Sequence, residues 1–137
     1  FSFQEFSQRY ADPTEDLDFI MREARLQDNK NRQNSIEIDN ANIQANWKMR
    51  QSLVMGEVLE AYNWAIANGI AKEQARAVLP EGNMESKLYM NGTIRSWIHY
   101  VELRSGPETQ KEHREVAIAC AEALAQVFPM ITEFISE

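Results

Sequence analysis

The chain has 137 residues, 44% of them apolar, and a formal net charge of −7. That length carries one core of ordinary domain size, and the acidic balance excludes general nucleic-acid binding through a broad cationic surface. No apolar run reaches the roughly 18 residues that suggest a membrane span, and the N-terminus lacks the basic-then-apolar layout of a secretory signal, so a soluble, cytoplasmic protein without membrane partners is expected. A single Cys120 excludes an internal disulfide, and its apolar surroundings, Val116 to Ala121, predict a packing role. Phe1 is not an initiator methionine and opens inside a dense run, so the chain reads as a piece of something longer.

Phe1, Phe3 and Phe6 alternate with polar residues, with one slip after Gln4-Glu5, which predicts a short strand or extended segment passing into a turn at Ala11-Asp12-Pro13. Phe19-Ile20-Met21 supplies a second extended piece. Residues 22–35 are almost wholly polar and predict a solvated loop. From about Asp39 to Asn68, a 3.6-residue period in Ile43, Trp47, Val54, Val58, Ala61, Tyr62, Ala65 and Ile66 predicts a long helix with those residues facing a core, stopped by Asn68-Gly69. Lys72 to Leu79 predicts a short helix ended by Pro80, and Glu81-Gly82-Asn83 a turn. Met84, Ser86, Leu88 and Met90 alternate with Glu85, Lys87 and Tyr89 as in a strand, although Met and Leu also suit a helical turn. Thr93 is placed to cap a helix over Arg95 to Arg104, which breaks at Ser105-Gly106-Pro107. Pro107 suits a first helical position, and Val116, Ala119, Cys120, Ala123, Leu124 and Val127 carry a last long helix to Pro129, followed by a turn or helix over Met130 to Ile135. The fold class expected is α+β, mostly helical, with long helices packed against a small antiparallel sheet in a single domain over 1–137.

The chain has no Gly-rich phosphate loop, CxxC, His-Glu-x-x-His or Gly-x-Ser-x-Gly motif, and its two histidines are His99 and His113, so no metal site is expected. What it offers is arginines beside breaks in structure: Arg9, Arg76, Arg95 and Arg104. Guanidinium forks suit bidentate contact with phosphate or a heterocycle carbonyl, and several converging make an anion site on an acidic protein. Taken singly, each is expected to be a surface salt-bridge partner. On a helix, Arg95, His99 and Glu102 share one face while Trp97, Ile98 and Val101 turn toward another. That pattern fits either a wetted amphipathic helix or a polar site backed by an apolar face.

Ser2-Phe3-Gln4-Glu5-Phe6-Ser7-Gln8-Arg9-Tyr10 resembles the second half of the signature of flavin-dependent thymidylate synthases, in which Arg-His-Arg and two further residues precede Ser-x-Asn-Glu-x-Ser-x-Arg-Tyr. The resemblance continues, in the family's order, through Ala75-Arg76-Ala77-Val78-Leu79-Pro80, through Thr93-Ile94-Arg95-Ser96 to Leu103-Arg104, and through Gln110-Lys111-Glu112. Gln4 stands where the signature usually has Asn, and His99 where some members carry Asn. The upstream Arg-His-Arg half is outside this sequence.

The resemblance implies that family's fold and reductive methylation of dUMP to dTMP, with the methylene group from methylenetetrahydrofolate and reducing equivalents passed from NADPH through FAD. By position, Ser7, Gln8 and Arg9 match the loop that grips the dUMP phosphate, Arg76 the second dUMP arginine, and Arg104 the catalytic arginine that contacts the pyrimidine and favours its N3-deprotonated form. Glu5, Thr93, Ile94, Arg95 and His99 match FAD contacts. A homotetramer with shared active sites is implied as well. Two other readings stay open from the residues: an assembled but catalytically incomplete fragment that binds dUMP without FAD, and a helical interaction module whose segment 22–35 docks a partner.

Overall fold

A computed structural model describes residues 1–5 and 19–136. Its elements run β1 (Ser2–Glu5), β2 (Arg25–Gln27), β3 (Ser35–Glu37), α1 (Ala41–Ala67), α2 (Lys72–Ala75), β4 (Leu88–Asn91), α3 (Ile94–Arg104) and α4 (Lys111–Ala125), with short 3-10 helices at Arg76–Val78, Glu81–Asn83 and Pro129–Phe134. The fold is mostly helical with a little sheet, as expected: β1 pairs with β4, and β2 with β3 in antiparallel register. Two compact units divide the chain, one of Phe1–Phe3, Arg25–Ile38 and Met90–Glu137, the other of Gln4–Ala24 and Asp39–Tyr89. No helix among the described residues is long and apolar enough to cross a membrane.

In the second unit α1 starts where the sequence says it should. The Asn40 side chain accepts from the backbone N–H groups of Asn42 and Ile43, satisfying two of the donors that a helix start leaves open. At the other end Gly69 turns left-handed, with φ of 76°, so that Ile70 N–H reaches the Ala65 carbonyl and Gly69 N–H that of Ile66. The buried stripe of α1 is Gln51, Met55, Tyr62 and Ala65, and Tyr62 and Ala65 join Ala75, Leu79 and Met84 in a core that Phe19 and Val58 edge. This corrects the predicted stripe: Ile43, Trp47, Val54, Ala61 and Ile66 face solvent. α1 is apolar round much of its circumference, so periodicity offers more than one face. The packing of α2, its 3-10 extension and Met84 selects one of them.

Two glutamines of α1 bind the extended chain at Ile20 to Ala24. Gln51 Nε2 donates to the Arg22 carbonyl at 2.9 Å and Gln51 Oε1 accepts from Arg22 N–H at 2.8 Å. Gln44 does the same to Ala24, donating at 2.9 Å and accepting at 2.8 Å. An amide side chain thus stands in for a neighbouring strand at alternate residues. The remaining valences of Gln51 go to Asn83 Nδ2 at 3.0 Å and the Trp47 carbonyl at 3.4 Å, so all four of its hydrogen-bonding positions are used at 4% exposure. Asn83 also donates to the Ile20 carbonyl at 2.9 Å, Ile20 N–H donates to the Asn83 carbonyl at 2.7 Å, and Phe19 bridges Met84.

In the first unit the segment predicted as a solvated loop forms most of a hairpin. Leu26 faces Ile36 across β2 and β3, and Asp28 closes the turn by accepting from Lys30 N–H, Asn31 N–H and Asn34 Nδ2. Composition misleads here because the polar residues are spent on one another. Arg25, with a side chain 12% exposed, pairs with Glu112 at the start of α4, and Lys111 Nζ meets Glu37 Oε1 at 2.6 Å.

α3, α4 and the last 3-10 helix share a core of Val101, Ala121 and Ile131, each 0% exposed, ringed by Trp97, Ile98, Leu124 and Phe128 among others. Two predicted details shift. α4 begins at Lys111, leaving Pro107 in the turn that Thr109 N–H closes onto the Gly106 carbonyl. Its fully buried positions are Ala117 and Ala121, where small residues permit close helix approach, while Val116 and Val127 lie outside. Cys120 is half-buried, and burial pushes its thiol pKa up, which fits a packing role.

Gln51→Met keeps the volume but strands the Arg22 backbone and the Asn83 amide, and is expected to cost about 2–4 kcal/mol in denaturant unfolding; an effect under about 0.5 kcal/mol would show the clamp to be passive. The hairpin is expected to be acid-sensitive. Hydrogen bonds from Lys30 and Asn31 N–H hold Asp28 below the ordinary carboxylate value, and the Lys111 hydrogen bond and charge do the same for Glu37. Burial pushes Glu112 up, but its own backbone N–H, Gln110 and Arg25 outweigh that push. Folded pKa values below the unfolded ones give stability that is complete above the ordinary carboxylate pKa and is lost as pH falls through the folded values. The melting temperature should therefore fall on acidification below about pH 4, and fall less in Arg25→Met; equal slopes would contradict the assignment.

Candidate active-site residues

α3 and its cap Thr93 carry five of the candidate site residues, Thr93, Ile94, Arg95, His99 and Arg104. Thr93 caps it: Oγ1 accepts from Ser96 N–H at 3.2 Å, and the Thr93 carbonyl accepts from Trp97 N–H at 3.0 Å. The N–H groups of Ile94 and Arg95 have no intrahelical partner by geometry. Ile94, Arg95, His99 and Glu102 are exposed, whereas Trp97 and Ile98 are half-buried and Val101 is buried, so the polar face and its apolar backing are as predicted.

A close approach fixes the chain ahead of that cap. A Cβ on Gly92 would collide with the Phe1 ring, which meets Trp97 edge-on at a centroid distance of 5.1 Å. Trp97 in turn meets Tyr100 at 5.8 Å, and Tyr100 lies 5.7 Å from His113. The edge-to-face contacts of Trp97 with Phe1 and Tyr100, and the tilted contact of Tyr100 with His113, hold the backing of α3 as a stack.

The far end of α3 is clasped by side chains. Ser136 Oγ donates to the Glu102 carbonyl at 3.0 Å, Thr109 Oγ1 to the Leu103 carbonyl at 3.4 Å, and Ser136 N–H to the buried Ser105 Oγ at 2.7 Å. Arg104 projects from this fixed last turn. Nine residues beyond Arg95, it emerges about half a turn round the helix and ~13 Å further along it. Arg104 therefore lies on the Tyr100 side: burial raises the Tyr100 phenol pKa, Cys120 adds to the rise, and the Arg104 charge opposes it.

Glu5 and Arg76 belong to the other unit. Glu5 ends β1 and accepts from Ser86 Oγ at 2.7 Å, and Arg76 opens the 3-10 helix after α2. Ser7, Gln8 and Arg9 lie outside the described residues. The single-residue expectation for the arginines is corrected: among the described residues, Arg76, Arg95 and Arg104 are exposed and pair with no carboxylate. Helix electrostatics sharpens the point, because Arg95 stands at the positive end of α3, where a cation weakens the helix unless an anion joins it.

Sequence reasoning missed Ser86 and the glutamine pair. The alternation of Met84 with Ser86 carried a signal, since it put Ser86 on the side of the core residue Met84. Gln44 and Gln51 gave none, because an amide among apolar residues is indistinguishable from a wet one until its partners are known.

The donor set of α3, backbone N–H groups and a guanidinium at the helix start with an imidazole one turn on, is of a kind that suits an anionic ligand. The profile of the family described as thymidylate synthase complementing protein (Thy1) matches residues 1–130. A protein of Paramecium bursaria Chlorella virus 1 named "Probable flavin-dependent thymidylate synthase" is 46% identical over 133 residues, covering 97% of this chain and 60% of its own length. The flavin-dependent thymidylate synthase of Synechocystis sp. is 45% identical over 131 residues, covering 96% and 59%. The chain thus spans about three fifths of the length of these relatives. Among solved structures, the UMP/dUMP methylase PolB from Streptomyces cacaoi, bound with 5-Br UMP, shares the fold with a TM-score of 0.77 at 23% identity, over 98% of this chain and 64% of that one. The signature half at Ser2 to Tyr10, the three blocks in order behind it and the profile match over 1–130 converge: this chain belongs to the thymidylate synthase complementing protein (Thy1) family, that of the flavin-dependent thymidylate synthases.

Proposed function

We propose that the protein carrying this chain methylates dUMP to dTMP reductively, taking the methylene group from methylenetetrahydrofolate and reducing equivalents from NADPH through FAD. The observation that carries this reading is that Arg76, Arg95 and Arg104 are exposed and have no carboxylate partner among the described residues, on a chain with 21 acidic and 14 basic side chains. On so acidic a protein, cations left unpaired at element ends are suited to anionic ligands. The relatives' names and the nucleotide in the structural neighbour's title support the same choice of ligands.

In this reading Arg104 contacts the pyrimidine and stabilises the negative charge left when N3 loses its proton, activating the ring without a cysteine nucleophile. Arg76, with Ser7, Gln8 and Arg9, holds the substrate, its phosphate gripped by the last three. Glu5, Thr93, Ile94, Arg95 and His99 hold the flavin, which when bound supplies the hydride. Trp97 and Tyr100 keep water from the back of the helix. A homotetramer with shared sites is part of the proposal, supported by the exposed Trp47, Leu53, Val54 and Trp64 on α1, too much apolar surface for a helix facing only water.

The test is dTMP formation from dUMP, methylenetetrahydrofolate and NADPH by the whole protein. Arg104→Ala should lower kcat/KM about 100- to 1000-fold, the range for losing a preorganised group that stabilises developing charge, while the flavin absorbance is retained. A variant within threefold of the parent would remove Arg104 from the chemistry. NADPH oxidation without any dTMP from the parent would overturn the reaction itself.

A further inference from the structure

We infer that Ser86 is a positioning residue for Glu5, presetting its carboxylate for the flavin; this rests on the reading of Glu5 as a flavin contact. Ser86 Oγ donates to Glu5 Oε1 at 2.7 Å across 81 positions of sequence. Glu5 is the last residue of β1, and Ser86 lies just ahead of β4, the strand that pairs with it. Two residues before Ser86, Met84 is rooted in the core at 8% exposure and bridges Phe19. One residue earlier, Asn83 is bonded to Gln51 and to both backbone groups of Ile20, and Arg22 Nε reaches the Gly82 carbonyl at 2.9 Å. The Ser86 hydroxyl therefore projects from a short strip whose backbone is anchored at three successive residues, 82–84.

A free glutamate samples many rotamers, and ordering one costs conformational entropy. With Oε1 held by a hydroxyl, the carboxylate is oriented before a ligand arrives. Among the described residues Oε2 has no partner, so it remains to accept from an N–H or O–H of the ligand. Ser86 acts through Glu5 and needs no contact with the flavin.

The experiment uses the whole protein stripped of flavin and titrated with FAD by fluorescence quenching, with the melting temperature of each apo form measured alongside. Glu5→Gln and Ser86→Ala should each weaken FAD binding, Ser86→Ala by about five- to tenfold, the scale of one hydrogen bond. Ser86→Thr should restore the parent affinity. The double variant should bind no more weakly than Glu5→Gln alone, and the apo melting temperatures should stay together. Parent-like binding by Ser86→Ala, with Glu5→Gln weakened, would overturn the positioning role while leaving the flavin contact standing. Additive losses in the double variant, no rescue by threonine, or a loss that merely follows a lower apo melting temperature would overturn it too. Parent-like binding by Glu5→Gln would instead overturn Glu5 as a flavin contact, and the inference with it.

Discussion

The buried amide of Gln51 is the constraint on which the helical unit around α1 depends. It lies in the middle of a 27-residue helix, nearly without solvent, and every hydrogen-bonding position it has is filled. A buried amide in that state adds little net energy per bond, but shifting any partner leaves a desolvated polar group unpaired. The path from Ile20 to Ala24 is therefore set by the helix, and the same amide fixes Asn83. Through Asn83 the constraint reaches the strip that holds Met84 in the core and Ser86 against Glu5. One side chain so joins the packing of the unit to the orientation of a carboxylate proposed to meet a ligand.

α3 solves a different problem. It has to present charged residues at both ends without losing its register, and each end is tied down by other means. Thr93 and the aromatic stack under Phe1 hold the first turn, while Ser136 and Thr109 take carbonyls of the last. Arg104 gains from the helix dipole at the C-terminal end, whereas Arg95 opposes it at the N-terminal end. An anion bound there would offset the cost of that placement. The buried Val101, Ala121 and Ile131 keep the element in place between those ends.

Much of this was legible in the sequence because it rests on local chemistry. Gly69, Thr93 and Pro80 mark element ends through hydrogen bonds and backbone limits that involve only near neighbours. The two faces of α3 follow from its period. The α1 stripe was misread because a helix apolar on several sides has no single phase, and the 22–35 hairpin because its stabilising partners, Glu112 and Lys111, lie about 75 residues or more away. Pairings of that separation leave no mark on local composition.

By itself the sequence determined the order of the helices, the cap of α3 and the end of α1, the family and the residue types of the candidate site, since each depends on neighbouring residues or on motifs in register. Tertiary structure decided which face of α1 is buried, that the arginines have no carboxylate partners among the described residues, and that Ser86 reaches Glu5. Those outcomes depend on distances between residues remote in the chain, and only the folded packing sets such distances.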